Sequence, residues 1–418
     1  MISTNEQTYL LPDDWQWVTM KEIATLFTGN SINEKIKVEK YLGRTDGLIY
    51  IATKDIGFDN QINYATNIRI PTSDNFKVAP ANTPLLCIEG GSAGRKLGFT
   101  NQPVCFVNKL CAFVSNKVNQ KLIYYFLQTQ NFAEQFTNMK HGLIGGVSIK
   151  NLTSMNFPLP PLNEQQRIVS LLDELFSKLD EAKALAQAVV DSSELRRTAI
   201  LHKAFTGELT KLWRDEHSRT LDSWQKKYLS DVLISSKQKT NDFSTSDLKY
   251  VGLENIERDS GQISFQAADE VKSTKNIFRA GDLLYGKLRP YLNKHGIAKF
   301  DGVCSTDILV FKANEQLEIK FINSFLNLPR FIEYAVANSK GINLPRVSEK
   351  IILCTEIFLP PLDEQKEIVH LLDDLLGREQ RTKELALKTL ERVKIMKKST
   401  LAQVFRGKLD TNDFNEGE

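Results

Sequence analysis

Residues 159–165 read LPPLNEQ and residues 359–365 read LPPLDEQ, an offset of 200 residues that persists without a gap. Ile168-Val169 matches Ile368-Val369, and Leu171-Leu172-Asp173 matches Leu371-Leu372-Asp373. The register still holds where Leu201, Phe205, Gly207 and Leu209 meet Leu401, Phe405, Gly407 and Leu409. Chance does not keep one register over about fifty residues, so the chain is a duplication. Weaker echoes lie upstream of each copy: Trp15-Gln16 and Trp224-Gln225, Tyr50-Ile51 and Tyr250-Val251, Val104-Cys105 and Val303-Cys304. The order is variable block, similar block, variable block, similar block. The expected boundaries are 1–157, 158–214, 215–357 and 358–418.

The similar blocks read as long helices. Pro160-Pro161 stops the preceding segment, and Asn163 or Asp363 is placed to cap the first turn, Asn163 and Gln166 having capping-box spacing. Ile168, Leu172, Leu175, Leu179, Ala182, Ala186 and Val189 then recur in alternating steps of four and three, the seam of a coiled coil. Gly207 and Gly407 follow Phe205 and Phe405 as helix stops. The span 164–204 makes a helix of roughly 60 Å. The second seam continues through Ile368, Leu372 and Leu375, and then Glu379 and Thr382 interrupt it. A helix with one apolar stripe needs a partner. Each helix can pack on its own domain, or the two can pair; a pseudo-two-fold pairing makes them antiparallel with a globular block at each end.

The variable blocks hold short β-type runs at 47–52, 83–88, 104–114, 248–253 and 303–311, broken by Gly, Asn, Asp and Pro. Helical patches at 122–136 and 321–336 follow. Each block reads as a small α+β domain, and 418 residues suit two to three domains of about 150.

Catalytic signatures are missing. There is no [DN]PP[YF] tetrapeptide, no GxGxxG after a strand, and the stretch 89–96, EGGSAGRK, misses the P-loop spacing. Five cysteines (Cys87, Cys105, Cys111, Cys304, Cys354) include no CxxC pair, and five histidines form no HExxH. The cysteines, His202 and His370 are expected to be packing or surface residues of a reduced, cytoplasmic protein. Neither a basic-then-apolar leader nor a long apolar run is visible. With 54 Lys and Arg against 51 Asp and Glu, the net charge of +3 excludes a polycation, while leaving room for a local basic face.

Two pairs of loops could form such a face. Gly90-Gly91-Ser92-Ala93-Gly94 lets backbone approach phosphates, and Arg95 and Lys96 add charge and base-edge donors. The corresponding place in the second block brings Lys287, Arg289, Tyr291, Asn293, Lys294 and His295 within nine residues. Further on, Lys140 and His141 precede the first helix, and Lys340, Asn343 and Arg346 precede the second. Each of these loops is also readable as an ordinary solvated turn.

The blocks PLPPLNEQQRIVSLLDELFSKLD and FLPPLDEQKEIVHLLDDLL, with the endings AFTGELT and VFRGKLD, resemble the specificity subunits of Type I restriction–modification systems over the whole chain. The resemblance implies two target-recognition domains joined by an antiparallel coiled coil acting as a ruler. Each domain would read half of an asymmetric, bipartite site in double-stranded DNA. It also implies no catalytic centre and no cofactor in this chain. S-adenosylmethionine, ATP and Mg would belong to partners: two modification subunits that methylate adenine, and motor and nuclease subunits that cleave. The alternatives are a subunit of a Type IIB-like enzyme and a non-DNA coiled-coil scaffold with two adaptor domains.

Overall fold

The Pro-Pro pairs end a strand and start a helix in both halves. Asn156–Leu159 pairs antiparallel with Gln16–Thr19, and Glu356–Leu359 pairs with Gln225–Tyr228. Helices then begin at Leu162 and Leu362. Asn163 and Asp363 therefore sit inside the first turn, not at the cap, though each Oδ1 still accepts the N–H of the next residue at 3.0 Å. The computed structural model of the chain describes residues 9–140, 145–242, 248–258, 261–268 and 273–408.

The repeated Glu-Gln pair staples each helix to its domain. The Trp15 indole N–H donates to Glu164 at 2.9 Å, and that of Trp224 donates to Glu364 at 3.0 Å. Gln165 and Gln365 donate to the carbonyls of Pro160 and Pro360. They also accept the backbone N–H of Asn119 and Glu318, the residues that cap the next helix of their domains. The motif that reveals the duplication is thus a hydrogen-bonded corner. Around Glu364 it is deeper, because Arg214 and Thr210 also donate to the same carboxylate oxygen, at 2.6 and 2.7 Å.

Two compact units result, one from the described residues of Met1–Ala186 and Lys388–Glu418, the other from Gln187–Leu387. Each unit combines one globular domain, the early half of its own long helix and the late half of the other. In the first unit Asp180 accepts from Lys397 at 2.6 Å, and Phe405 packs edge-on against Phe126 and Phe157. In the second, Arg196 holds Glu379 at 2.7 and 2.9 Å, and Phe205 packs on Phe321 and Phe325. Late half meets early half in both, which is antiparallel pairing. The Phe-x-Gly endings are anchors in the core of the domain encoded by the other half of the chain. Gly207 and Gly407 follow with φ of +78° and +63°, as helix stops do.

The second long helix runs unbroken over Leu362–Val404, 43 residues or about 65 Å. The first is divided into Leu162–Asp191 and Ser193–Phe205. At the break the Arg196 guanidinium donates to the Val189 carbonyl at 2.8 Å, an acceptor that a regular helix gives to the Ser193 N–H. The interruption of the second seam at Glu379 has the same cause: its carboxylate is the other partner of Arg196.

Besides the two-stranded pair that leads into its long helix, each domain carries two larger sheets among its described residues. In the first, Thr25–Thr28, Leu110–Val114, Pro84–Cys87 and Leu97–Phe99 form an antiparallel sheet in that order. A second sheet pairs Leu48–Ile51 parallel with Val104–Phe106. The second domain repeats both, with Leu233–Ser235, Ile308–Ala313, Leu283–Gly286 and His295–Ile297, and with Lys249–Val251 parallel to Gly302–Cys304. The β-runs read at 104–114 and 303–311 are each two strands, with a turn between them. The helical patches are also divided, into Gln120–Phe126 and Gln130–Asn138, and into Ile319–Phe325 and Pro329–Ala337. Among the described residues no helix is long and apolar enough to cross a membrane.

Candidate nucleic-acid interface

One hairpin in each domain presents the loop singled out by its glycines and cations. In the second domain, Leu283–Gly286 and His295–Ile297 frame the loop 287–294. Arg289 and Asn293 take left-handed backbone, φ +52° and +44°, on either side of a short turn at Pro290–Leu292. A left-handed non-glycine residue costs roughly 1–2 kcal/mol, and the surrounding contacts impose it here. The Arg289 N–H donates to the Pro345 carbonyl at 2.7 Å, and the Val347 N–H donates to Lys287 at 3.0 Å. Loops 287–294 and 340–347, distant in sequence, are therefore one surface.

That surface separates the candidate residues. Arg289, Tyr291, Lys340 and Asn343 are exposed. Lys287 and Arg346 flank Asp307 at 3.7 and 3.3 Å. Lys294 turns away and donates to the Leu253 carbonyl at 2.7 Å. Asn293 donates inward to the Leu326 carbonyl at 2.9 Å. His295 lies in the core at 3% exposure, bonded through Nδ1 to Asn323, and burial pushes its imidazole down to about 4. Its place beside Lys287, Arg289 and Lys294 suggested a groove-facing donor; as the first residue of a strand its side chain alternates inward.

The first domain builds its surface with the same bonds. The Ile88 N–H donates to Lys109 as the Lys287 N–H donates to Asp307, both at 2.9 Å. Lys96 donates to the Thr53 carbonyl at 3.0 Å, matching Lys294 on Leu253. Glu89 bridges Gly146 where Leu288 bridges Arg346. Arg95 is exposed, donates to the Gly91 carbonyl and lies 5.5 Å from the centre of the Phe58 ring; Lys96 lies 5.1 Å from it. Lys140 is exposed over Phe136. His141 lies outside the described residues.

Three residues of these surfaces were not among the sequence candidates. Lys109 and Asp307 sit on the turns inside the divided β-runs, where hydrophobicity alone shows one continuous strand. Phe58, 65% exposed between two cations, follows a strand in a Gly- and Asp-rich loop that carries no motif. The helix histidines His202 and His370 are exposed. Cys87, Cys105, Cys111 and Cys304 are buried, and burial pushes the Cys105 thiol up to about 11 and those of Cys111 and Cys304 to about 12, as packing residues.

The family model for the Type I restriction modification DNA specificity domain matches the chain twice, over residues 12–189 and 222–396. The chain belongs to this family. Among curated relatives, the EcoDI specificity subunit of a Type I restriction enzyme of Escherichia coli is 28% identical, over 96% of this chain and 89% of its own length. The EcoKI specificity subunit of Escherichia coli strain K12 is 24% identical, over 96% and 90%. Among solved structures, the HsdS subunit from Thermoanaerobacter tengcongensis superposes with a TM-score of 0.62 at 17% identity, covering 97% of this chain and all of that one. A chain from a study of complex assembly and conformational transition of the type I R-M system gives 0.69 at 17% identity, over 96% and 100%. Both share the fold. The duplication read from the Leu-Pro-Pro-Leu repeat is therefore a duplication of a DNA specificity domain.

Proposed function

We propose that this chain is the DNA-recognition subunit of a Type I restriction–modification complex and reads a split, asymmetric target, one half-site per domain. The observation that carries the reading is the loop surface built twice on the same backbone bonds from different side chains. Conserved framing with divergent residues suits two domains that recognise different sequences by one docking mode. Arg95 and Lys140 with His141 would serve the first half-site; Lys287, Arg289, Tyr291, Lys340, Asn343 and Arg346 the second. Of these, exposed Arg289 is the foremost base reader, since guanidinium can engage guanine O6 and N7 together. Lys96, Lys294, Asn293 and His295 act by holding their loops. Neighbouring cations neutralise phosphates and set register. Linking two modest half-site interactions in one chain gives avidity that neither has alone.

Chemistry in this reading belongs to partners. Two modification subunits would bind the chain and methylate adenine with S-adenosylmethionine, and motor and nuclease subunits using ATP and Mg would cut unmodified DNA in the cytoplasm. The recognition domains would occupy 1–157 and 215–357 and the helical regions 158–214 and 358–418. The test is an adenine methylome of the source cell with and without the gene. A split, asymmetric motif present only with the gene is expected. A continuous or palindromic motif, or none when the modification subunits are co-expressed, would refute the reading.

A further inference from the structure

Three charged side chains of the second domain meet at the turn hidden inside the run 303–311. Asp307 lies 3.3 Å from Arg346 Nε and 3.4 Å from Arg346 Nη2, one carboxylate oxygen to each nitrogen, and 3.7 Å from Lys287 Nζ. The backbone beneath them is tied on every side. The Lys287 N–H donates to the Asp307 carbonyl at 2.9 Å, and Arg346 and Lys340 exchange both backbone bonds, at 2.8 and 2.9 Å. Only side-chain torsions remain to be ordered, and Asp307 orders them.

A guanidinium has two bidentate edges. Asp307 takes the Nε–Nη2 edge of Arg346 and leaves the Nη1–Nη2 edge for a second planar acceptor. The Arg346 side chain stays 46% exposed, against 29% for Asp307. A carboxylate between two cations is a poor way to attract phosphate, because it cancels one of their charges. It is a good way to aim a guanidinium. The corresponding described positions of the first domain carry other residues: Lys109 makes the backbone bond of Asp307, and Gly146 makes the bridge of Arg346.

The geometry points to Asp307 as a positioning residue that aims Arg346 at the O6–N7 edge of a guanine in the half-site of the second domain, while lowering that domain's attraction for DNA of any other sequence. The inference rests on the proposed DNA-recognition function and names how one half of that site discriminates.

The test uses the full chain assembled with its modification subunits, a genomic methylome, and a random-sequence duplex lacking the target as the binding probe. Asp307→Asn should relax one guanine position of one half-site, with discrimination falling about tenfold to a hundredfold. Binding to the random duplex should tighten and grow steeper in salt, by at most about one phosphate contact. Arg346→Lys keeps the charge and loses the fork; it should relax the same position and leave random-duplex binding unchanged. Equal weakening of Asp307→Asn on every sequence would make Asp307 a structural brace and overturn the inference. An unchanged motif with tighter random binding would make it a charge modulator only, and also overturn it. If Asp307→Asn fails to assemble, an unchanged guanine preference in Arg346→Lys overturns it alone. Absence of any split motif with the unaltered chain would sink the functional reading itself, and this inference with it.

Discussion

Replacing Glu364 by alanine is the most severe single change the helix corner offers. Its side chain has no solvent exposure and the Arg214 side chain only 7%. The carboxylate accepts Arg214 Nη1 at 2.6 Å and Thr210 Oγ1 at 2.7 Å on one oxygen, and Trp224 Nε1 at 3.0 Å on the other. Without it, Arg214 keeps only the neutral acceptors Gly207 O and Thr210 Oγ1 among these partners. Removing one member of a buried ion pair costs about 3–5 kcal/mol, because the other charge is stranded. Arg214→Ala should cost a similar amount for the mirror reason. The double variant Arg214→Met/Glu364→Leu removes both charges, fills the space with apolar atoms, and should be more stable than either single variant. Glu164, half-buried and bonded to Trp15, is expected to cost less, about 1.5–3 kcal/mol for one charge-assisted bond. Urea unfolding followed by far-ultraviolet circular dichroism and tryptophan fluorescence would measure all four. Single variants costing under about 1 kcal/mol, or a double variant at the sum of the singles, would refute the reasoning that desolvated charge dominates the corner.

His295 gives a pH dependence with a definite sign. Burial holds it neutral down to about 4, whereas in the unfolded chain it takes a proton near 6.5. Its contribution is complete above pH 6.5 and is lost as pH falls toward 4, at about 1.4 kcal/mol per pH unit. Urea midpoints at pH 5 and 7 should converge in His295→Gln; an unchanged difference would refute this. Gly94→Ala should destabilise by more than about 1 kcal/mol, since φ is +74° and the new Cβ would meet the Phe136 ring at 2.7 Å. Gly90→Ala, with φ +80° and nothing within 4 Å, should cost less; equal thermal shifts would show that the ring contact relaxes freely. Phe58→Ala should leave stability within about 0.5 kcal/mol, because the ring is exposed, and should relax one half-site in the methylome. Uniformly weaker methylation would mean that Phe58 only braces Arg95 and Lys96.

The helices were legible because their stripe repeats twice in one register and helical periodicity survives translation into hydrophobicity. The break at Ser192 was not, since it arises from Arg196, whose guanidinium serves both the Val189 carbonyl and Glu379. Glu379 looked like a flaw in the second seam for the same reason: a seam read on one helix cannot show a charge supplied by the other. The recognition loops were found by their glycines and cations. Lys109 and Asp307 were passed over because turns of two or three residues inside an apolar run leave the β pattern intact.

The amino-acid order alone determined that the chain is a duplication, that each copy pairs a small α+β domain with a long helix, and that no familiar catalytic motif is written into it. These properties are local or periodic, and a linear string carries them in full. The tertiary structure decided that Phe205 and Phe405 anchor in the domain of the opposite half, that loops 287–294 and 340–347 form one surface, and that His295 and Lys294 turn away from it while Asp307 enters it. Those outcomes depend on which side of a strand faces the core and on backbone bonds between segments tens to hundreds of residues apart, and such pairings leave no periodic trace in sequence.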